Sequence, residues 1–234
     1  MSKAFWGVVA AIVIIAGGII WATSGNNSSS GGGTSSTQPT NHVEGTGETG
    51  VKLVEYGDYE CPYCSEYYAV VKQVEQKFNN QIYFQFRNLP LTQIHPNAMS
   101  SARAAEAAGL QNKYWQMHDL LYQNQDPSGQ TGWVASSDAL DQYFVGYAQQ
   151  LGLNVTQFKN DYKSTKVNDM IQADIAAFGK TGAPEATPTF FLDGKQVNLA
   201  DVVDSKNLPN VDKFSQVIQK EIDAKAKTSS TSKN

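Results

Sequence analysis

The chain has two cysteines, and they stand two residues apart in Cys61-Pro62-Tyr63-Cys64. A pair this close cannot staple distant parts of a fold, so it constrains the chain through chemistry and not through cross-linking. Val51-Lys-Leu-Val-Glu-Tyr56 before it reads as a strand, and Ser65 to Phe78 after it places apolar residues at helical spacing. A CxxC at a strand-to-helix turn is a redox arrangement.

A helix start leaves backbone N–H groups unpaired and carries partial positive charge. Cys61 at that point is expected to hold its thiolate more readily than a free thiol does, and only the thiolate attacks disulfides. Cys64, one turn further in, is expected to be shielded and to resolve. Pro62 suits an early helical position because its missing N–H has no partner there anyway. Zinc binding is the competing chemistry. It needs four ligands, and the chain offers only His42, His95, His118 and acids beside the pair, with no second CxxC. No metal and no cofactor are expected. His95, before Pro96, reads as part of a cap or turn. His118, among Trp115, Met117 and Leu121, reads as a packed core histidine. Asp58 and Glu60 flank the motif and are expected to solvate it, their charge opposing thiolate formation.

The first residues are of another kind. Ala4 to Ala22 is an uncharged run of 19 residues. At ~1.5 Å per residue it is about long enough to cross a ~30 Å hydrocarbon core. Trp6 and Trp21 lie near its ends, where indoles favour the interface, and Lys3 precedes it while the next cation is Lys52. The segment is expected to be an uncleaved transmembrane signal-anchor over 4–22, in preference to a cleaved signal peptide, with residues 1–3 in the cytoplasm and the remainder outside. The predicted location is the cell membrane, single-pass, with the CxxC on the extracytoplasmic side. Residues 23–41, rich in Ser, Gly and Thr and without charge, are too polar to bury a core and are expected to be a flexible linker of on the order of 25 Å. Residues 225–234 read as a disordered tail. The folded unit is therefore placed at 42–224. Its formal charge balance feeds a whole-chain net of −4 with no basic run, which excludes a nucleic-acid partner.

Within that unit Ile82 to Arg87 reads as a second strand, parallel to the first because a helix crosses between them. Asn97 to about Asn124 reads as one helical stretch, Ser137 to Leu151 as a helix capped by Ser137, and Asn154 to Gln157 as a capping box. A helix over Val167 to Lys180 follows. Pro188 to Val197 reads as a strand, an Asp193-Gly194 turn and a return strand. Asn210 is expected to cap a last helix through Ile222. The order β, α, β, helical block, β-hairpin, α resembles a thioredoxin plan with a helical insertion over about 95–182. A second constellation, Ala186-Thr187-Pro188-Thr189-Phe190, puts a proline directly before an apolar strand. It matches the cis-proline that faces the active site in such folds, with Thr187 expected to tune the thiolate through its hydroxyl.

Together Glu55-Tyr-Gly-Asp-Tyr-Glu-Cys-Pro-Tyr-Cys64, Leu89-Pro-Leu91, His95-Pro96, Tyr114-Trp-Gln-Met-His-Asp-Leu-Leu121 and Thr187-Pro-Thr-Phe-Phe191 resemble the DsbA-like family of thiol-disulfide oxidoreductases. The resemblance spans about Val43 to Ile222. It implies an α/β thioredoxin-like fold with an inserted helical subdomain, here preceded by a single N-terminal transmembrane helix. It also implies the catalytic pair Cys61 and Cys64, a cis-proline at Pro188, and a buried acid, Glu55, that relays protons. The dipeptide Pro62-Tyr63 departs from the family's best-known Pro-His and carries no positive charge next to the thiolate.

The function that follows is a membrane-anchored protein disulfide oxidase acting on reduced, unfolded exported proteins. From the family, its expected redox partner is a quinone-linked membrane oxidase of the DsbB or VKOR kind. No dimerisation segment is visible, and a monomer is expected. A reductase or isomerase would use the same site in the other direction, and a non-redox folding helper would use only the Pro188 groove.

Overall fold

Alternation along the first predicted strand decides the layering. Val51, Leu53 and Glu55 point to one buried face of the strand Val51–Gly57 (β2), and Val54 and Tyr56 to the other. A strand covered on both sides belongs at the centre of a sheet. The computed structural model describes residues 38–231, all within one compact unit, and β2 is the middle of its five strands. The sheet order is β1-β3-β2-β4-β5. Here β1 is His42–Glu44, β3 is Ile82–Asn88, β4 is Thr189–Leu192 and β5 is Lys195–Gln196. β2 runs parallel to β3, as the sequence predicts, pairing Glu55 with Phe86, and antiparallel to β4, pairing Glu55 with Phe190. Asp193 and Gly194 turn β4 into β5 with both residues at positive φ, 47° and 80°, the conformation a two-residue hairpin turn requires.

One face of the sheet carries Leu53, Phe84, Phe86, Phe190 and Leu192 against helix α1 (Pro62–Phe78), which buries Cys64, Tyr67, Val71, Val74 and Phe78. The last helix, α7 (Val211–Thr231), adds Phe214, Ile218 and Ile222 to the same core. The opposite face sets Tyr56 and Phe191 against Phe178 of α6 (Thr165–Gly179). Gly57 closes β2 because a Cβ there would lie 2.5 Å from the Phe86 ring. Burying Phe190, Phe214 or Trp133 in this core contributes on the order of 1.5–3 kcal/mol each.

The insertion is helical but differs in detail from its sequence reading. The stretch from Asn97 to Asn124 is two helices, α2 (Ala98–Gly109) and α3 (Tyr114–Gln123). They separate where Asn112 takes a positive φ of 61°, which Asn tolerates better than most side chains. The expected helix from Ser137 begins later, as a π-type turn over Leu140–Phe144 that leads into α4 (Val145–Gln150). Asp138 and not Ser137 supplies the acceptor there, its carboxylate taking the Asp141 N–H at 3.3 Å. Asn154 does cap α5 (Val155–Tyr162), accepting the Gln157 N–H at 3.0 Å.

Both ends of the folded unit reach further than expected. Thr40, placed in the linker by its composition, is buried, and its N–H and hydroxyl both bond to the buried Asp174 carboxylate at 2.7 Å. The strand β1 follows at once, with His42 bonded to Glu106 at 2.9 Å. At the other end, α7 continues through most of the predicted disordered tail. Lys225 bonds there to Asp193 at 2.7 Å and to the Gly50 carbonyl. The expected membrane segment 4–22 and most of the linker lie outside the described residues. Among those described, no helix is long and apolar enough to cross a membrane.

Candidate active site

β2 ends and α1 begins within five residues, and the turn between them holds the cysteines. Cys61 occupies the N-cap position of α1 in extended conformation, with Pro62 at the first helical position. Its N–H donates to the Asp58 carbonyl at 3.1 Å, and its carbonyl accepts from Ser65 N at 3.2 Å. Both sulfurs are free thiols. Both are buried, Cys61 at 4% exposure and Cys64 at 0%.

Their electrostatics diverge. The Cys64 side chain bonds toward Cys61 and lowers its pKa to about 6. Burial opposes that shift, the Thr187 side chain and the Cys64 backbone N–H assist it, and the Asp58 charge works against it. As a thiol, Cys61 makes no side-chain cap bond to the first turn, and the partial positive charge of the helix start favours the thiolate form of its sulfur. Burial pushes Cys64 well above the usual thiol range, and the Cys61 and Glu55 charges add to that. The two sulfurs are thus pushed in opposite directions, Cys61 toward the thiolate and Cys64 toward the thiol.

Pro188 arrives from the start of β4, the strand paired directly with β2. The Thr187–Pro188 peptide is cis, and the Cys61 thiol donates to the Thr187 carbonyl oxygen at 3.4 Å. The Thr189 hydroxyl donates to the Ala186 carbonyl at 2.7 Å and fixes this turn. The Thr187 hydroxyl is buried with no hydrogen-bond partner among the described residues. It is therefore left without a competing acceptor beside Cys61. Beside the pair, Tyr63, Glu66, Tyr67, Thr187, Pro188 and Val203 line part of an open groove of about 440 Å³.

Glu55 lies beneath, on the α1-facing side of β2, and is buried. Burial raises its pKa well above the ordinary carboxyl value, with the Glu75 and Cys61 charges adding to the effect. It shares an electrostatic environment with both cysteines, since its charge in turn raises Cys64.

Asp58 and Glu60 do not solvate the motif. Both are buried and turned inward, onto the segment that follows β3. The Asp58 carboxylate accepts from Glu60 N at 2.9 Å, from Leu91 N at 2.9 Å and from His95 Nδ1 at 2.7 Å. Glu60 accepts from Asn97 N at 2.5 Å, and burial raises its pKa to about 7. His95 is thus more than a turn residue. His118 is the packed histidine expected, buried against Phe86, Trp115 and Tyr122 with Nδ1 at 3.1 Å from the Tyr59 hydroxyl. Sequence reasoning missed Gln125 altogether. Its amide donates to the carbonyls of Tyr59 at 2.6 Å and Cys61 at 3.0 Å and pins the cysteine turn from the insertion. A lone glutamine beyond a helix end carries no sequence signal for that role. Among the described residues no group of three or more His, Cys, Asp or Glu is placed to hold a metal ion.

A family model described as thioredoxin matches residues 37–220. Among curated proteins, the Na(+)/H(+) antiporter NhaA 1 of Salinispora arenicola is 38% identical over 156 residues, which is 67% of this chain and 22% of that protein. The chain thus spans under a quarter of that relative's length. Among solved structures, oxidised BdbD from Bacillus subtilis superposes with a TM-score of 0.63 at 22% identity, over 80% of this chain and 96% of that one. The thiol-disulfide exchange protein α-DsbA2 of Wolbachia pipientis gives 0.59 at 18%, over 79% and 86%.

Proposed function

From the premise that this chain belongs to the thioredoxin family and carries the fold of its DsbA-like thiol-disulfide oxidoreductases, we propose that it is a membrane-tethered disulfide oxidase for exported proteins. The observation that carries the reading is the split between the two sulfurs: Cys61 near pH 6, and Cys64 buried and held protonated. In the oxidised form a substrate thiolate attacks Cys61. A substrate–Cys61 disulfide forms, the Cys61–Cys64 bond breaks, and Cys64 leaves as a thiolate. That buried thiolate takes up a proton, and Glu55 is the proposed donor. A second substrate thiolate then attacks the substrate sulfur and expels Cys61, whose low pKa makes it a good leaving group. Two electrons pass from the substrate dithiol into the pair, which a quinone-linked membrane oxidase of the DsbB or VKOR kind then reoxidises.

Access supports a polypeptide substrate. Tyr63, Ile94 and Leu208 are large apolar side chains left 66%, 69% and 50% exposed. Tyr63 sits between the cysteines, Ile94 precedes His95, and Leu208 follows the groove residue Asn207. Of the three, Tyr63 lines the groove beside the pair, and apolar surface there suits reduced, unfolded chains better than folded ones. The tether over 4–22 would place the site on the extracytoplasmic face and raise its effective concentration near the membrane oxidase. Antiport is named for whole proteins of which the chain matches 22%, and it is not carried over.

The test is the reduction potential of the full-length protein in detergent, equilibrated against glutathione. A thiolate pKa near 6 lies between the ~7 of thioredoxin and the ~3.5 of DsbA. The potential is therefore expected above thioredoxin's about −270 mV, toward DsbA's about −120 mV. A value at or below about −270 mV turns the direction to reduction. Disulfide transfer that survives Cys61→Ser overturns the assignment of the chemistry to Cys61, whereas folding assistance that survives it with no disulfide transferred leaves a non-redox folding helper.

A further inference from the structure

Three residues before the attacking sulfur, a buried carboxylate meets an imidazole. Asp58 offers its carbonyl to Cys61 N–H at 3.1 Å and its carboxylate to Glu60 N, Leu91 N and His95 Nδ1. The Tyr122 hydroxyl reaches the same carbonyl at 3.5 Å. Glu60 in turn holds Asn97 N. Two inward carboxylates thereby lace the cysteine turn to the segment from Leu91 to Asn97. That segment is itself fixed, with His95 N donating to the Leu91 carbonyl at 3.0 Å.

Such an arrangement has an electrostatic problem. Asp58, Glu60 and the Cys61 thiolate crowd three negative groups into one turn, with Glu55 and Cys64 behind them on β2 and α1. Like charges in a low-dielectric setting raise one another's pKa values, and Asp58 does oppose the Cys61 thiolate. A fourth group of opposite sign relieves all three at once. His95 is in place to be that group, its ring nitrogen 2.7 Å from Asp58 Oδ2 and its side chain 15% exposed.

We propose that His95, oriented by Asp58, is a positioning residue for Cys61: its imidazolium neutralises the Asp58–Glu60 carboxylates and sustains the thiolate, supplying from a separate loop the positive charge that Tyr63 lacks. The proposal rests on the redox reading of Cys61 and not on the direction of electron flow. The electrostatics of His95 itself agree with this. Asp58 chiefly raises the His95 pKa above its ordinary 6.5, with the Cys61 and Glu60 charges adding to the effect. Conversely, the His95 charge is among the factors that lower Glu60. Coupling of this kind is reciprocal: if His95 favours the thiolate, then reducing the disulfide must favour protonated His95.

The full-length protein tests this in two ways. The first is the Cys61 thiolate, titrated by its ultraviolet absorbance in the reduced wild type and in His95→Gln, which keeps an amide donor toward Asp58 but loses the charge. The variant is expected to show a midpoint about one unit higher, on the order of tenfold less thiolate below the midpoint. A tenfold change corresponds to a potential lower by about 30 mV. A midpoint unchanged within a fifth of a unit overturns the proposal. The second needs no variant and so does not depend on one folding. The His95 ring proton is titrated by NMR in the oxidised and reduced wild-type protein. A higher His95 pKa in the reduced form is expected, and equal values in the two forms overturn the role, since a purely structural histidine has no reason to follow the redox state. Both readouts are independent of substrate. A potential near −270 mV with the His95 linkage intact defeats only the oxidase reading, and an absent linkage with normal disulfide transfer defeats only this one.

Discussion

The Cys61 thiol donates to the Thr187 carbonyl oxygen at 3.4 Å, across the gap between a helix start and a strand start. A thiol can donate only while it holds its proton. On ionisation that contact becomes unfavourable, and the Thr187 hydroxyl, buried and without another partner, is the donor positioned to replace it. In the substrate–Cys61 disulfide proposed above, the same carbonyl would be free to accept a backbone N–H from an extended substrate. One residue thus serves two states of the sulfur through two different atoms.

The first prediction follows from that exchange. Iodoacetamide modification of the reduced protein should follow a titration with its midpoint near pH 6, the value to which Cys61 is lowered. Thr187→Val removes the hydroxyl and keeps the carbonyl, so the midpoint should rise, by about half a unit to one unit if one weak hydrogen bond to a charged group is lost. A midpoint near 8.5 in the wild type would contradict the thiolate assignment.

The two sulfurs also make separate predictions in cells. Cys64→Ala leaves the attacking sulfur in place and removes the one that clears unproductive adducts, so mixed disulfides with exported proteins should accumulate on Cys61. Non-reducing gels should show them as a ladder that collapses on reduction. Cys61→Ser should show no ladder and no disulfide transfer. Adducts formed through Cys64 in that variant would mean that a fully buried sulfur is the one that attacks.

How far the sequence reveals this site depends on the reach of each interaction. The cysteine turn was legible because strand, CxxC and helix are contiguous, and local periodicity reports each one. Thr187 and Pro188 were legible through a motif 126 residues away from Cys61 only because a strand pattern follows it. Asp58 and Glu60 were misread as solvating because charge by itself points outward, and their partners, Leu91, His95 and Asn97, lie more than thirty residues on. Thr40 was assigned to the linker for the same reason: Ser, Thr and Asn composition cannot announce a buried carboxylate on a helix 134 residues later. The tail after Ala224 misleads in the same direction, order standing where composition reads disorder, and Lys225 there is held by Asp193 and the Gly50 carbonyl.

Glu55 yields a prediction in which stability and rate move in opposite directions. Its pKa in the folded protein is raised above 4.5, so the folded state binds the proton more tightly than the unfolded chain does. Stability is therefore lost as pH rises from about 4.5 through the folded value. Glu55→Gln removes that loss, and the variant should melt at a higher temperature than the wild type at pH 8 but at nearly the same temperature at pH 4. If Glu55 supplies the proton to Cys64, the same variant should also slow reduction of the disulfide by a substrate dithiol, on the order of a hundredfold for the loss of a general acid. A more stable variant with unchanged rate would leave Glu55 as a buried acid with no part in proton transfer.

Thr40 and Asp174 give the last prediction, at the point where the chain enters the domain. Asp174 accepts from Thr40 N, the Thr40 hydroxyl and Asn88 N, all within 3.0 Å, and burial raises its pKa to about 6 despite these donors. Thr40→Val keeps the backbone bond and the side-chain volume but deletes the hydroxyl, leaving a buried carboxylate short of one donor. The cost should be about 1–3 kcal/mol at pH 7.5, measured by urea unfolding of the full-length protein. The sign of the pH dependence is fixed. A carboxyl with a raised folded pKa loses stability as pH climbs from about 4 to about 6. Removing a donor that lowers this pKa pushes the window of loss upward, so the penalty of Thr40→Val should be smaller at pH 4.5 than at pH 7.5. A penalty independent of pH would mean that the hydroxyl serves the packing of β1 and not the charge on Asp174.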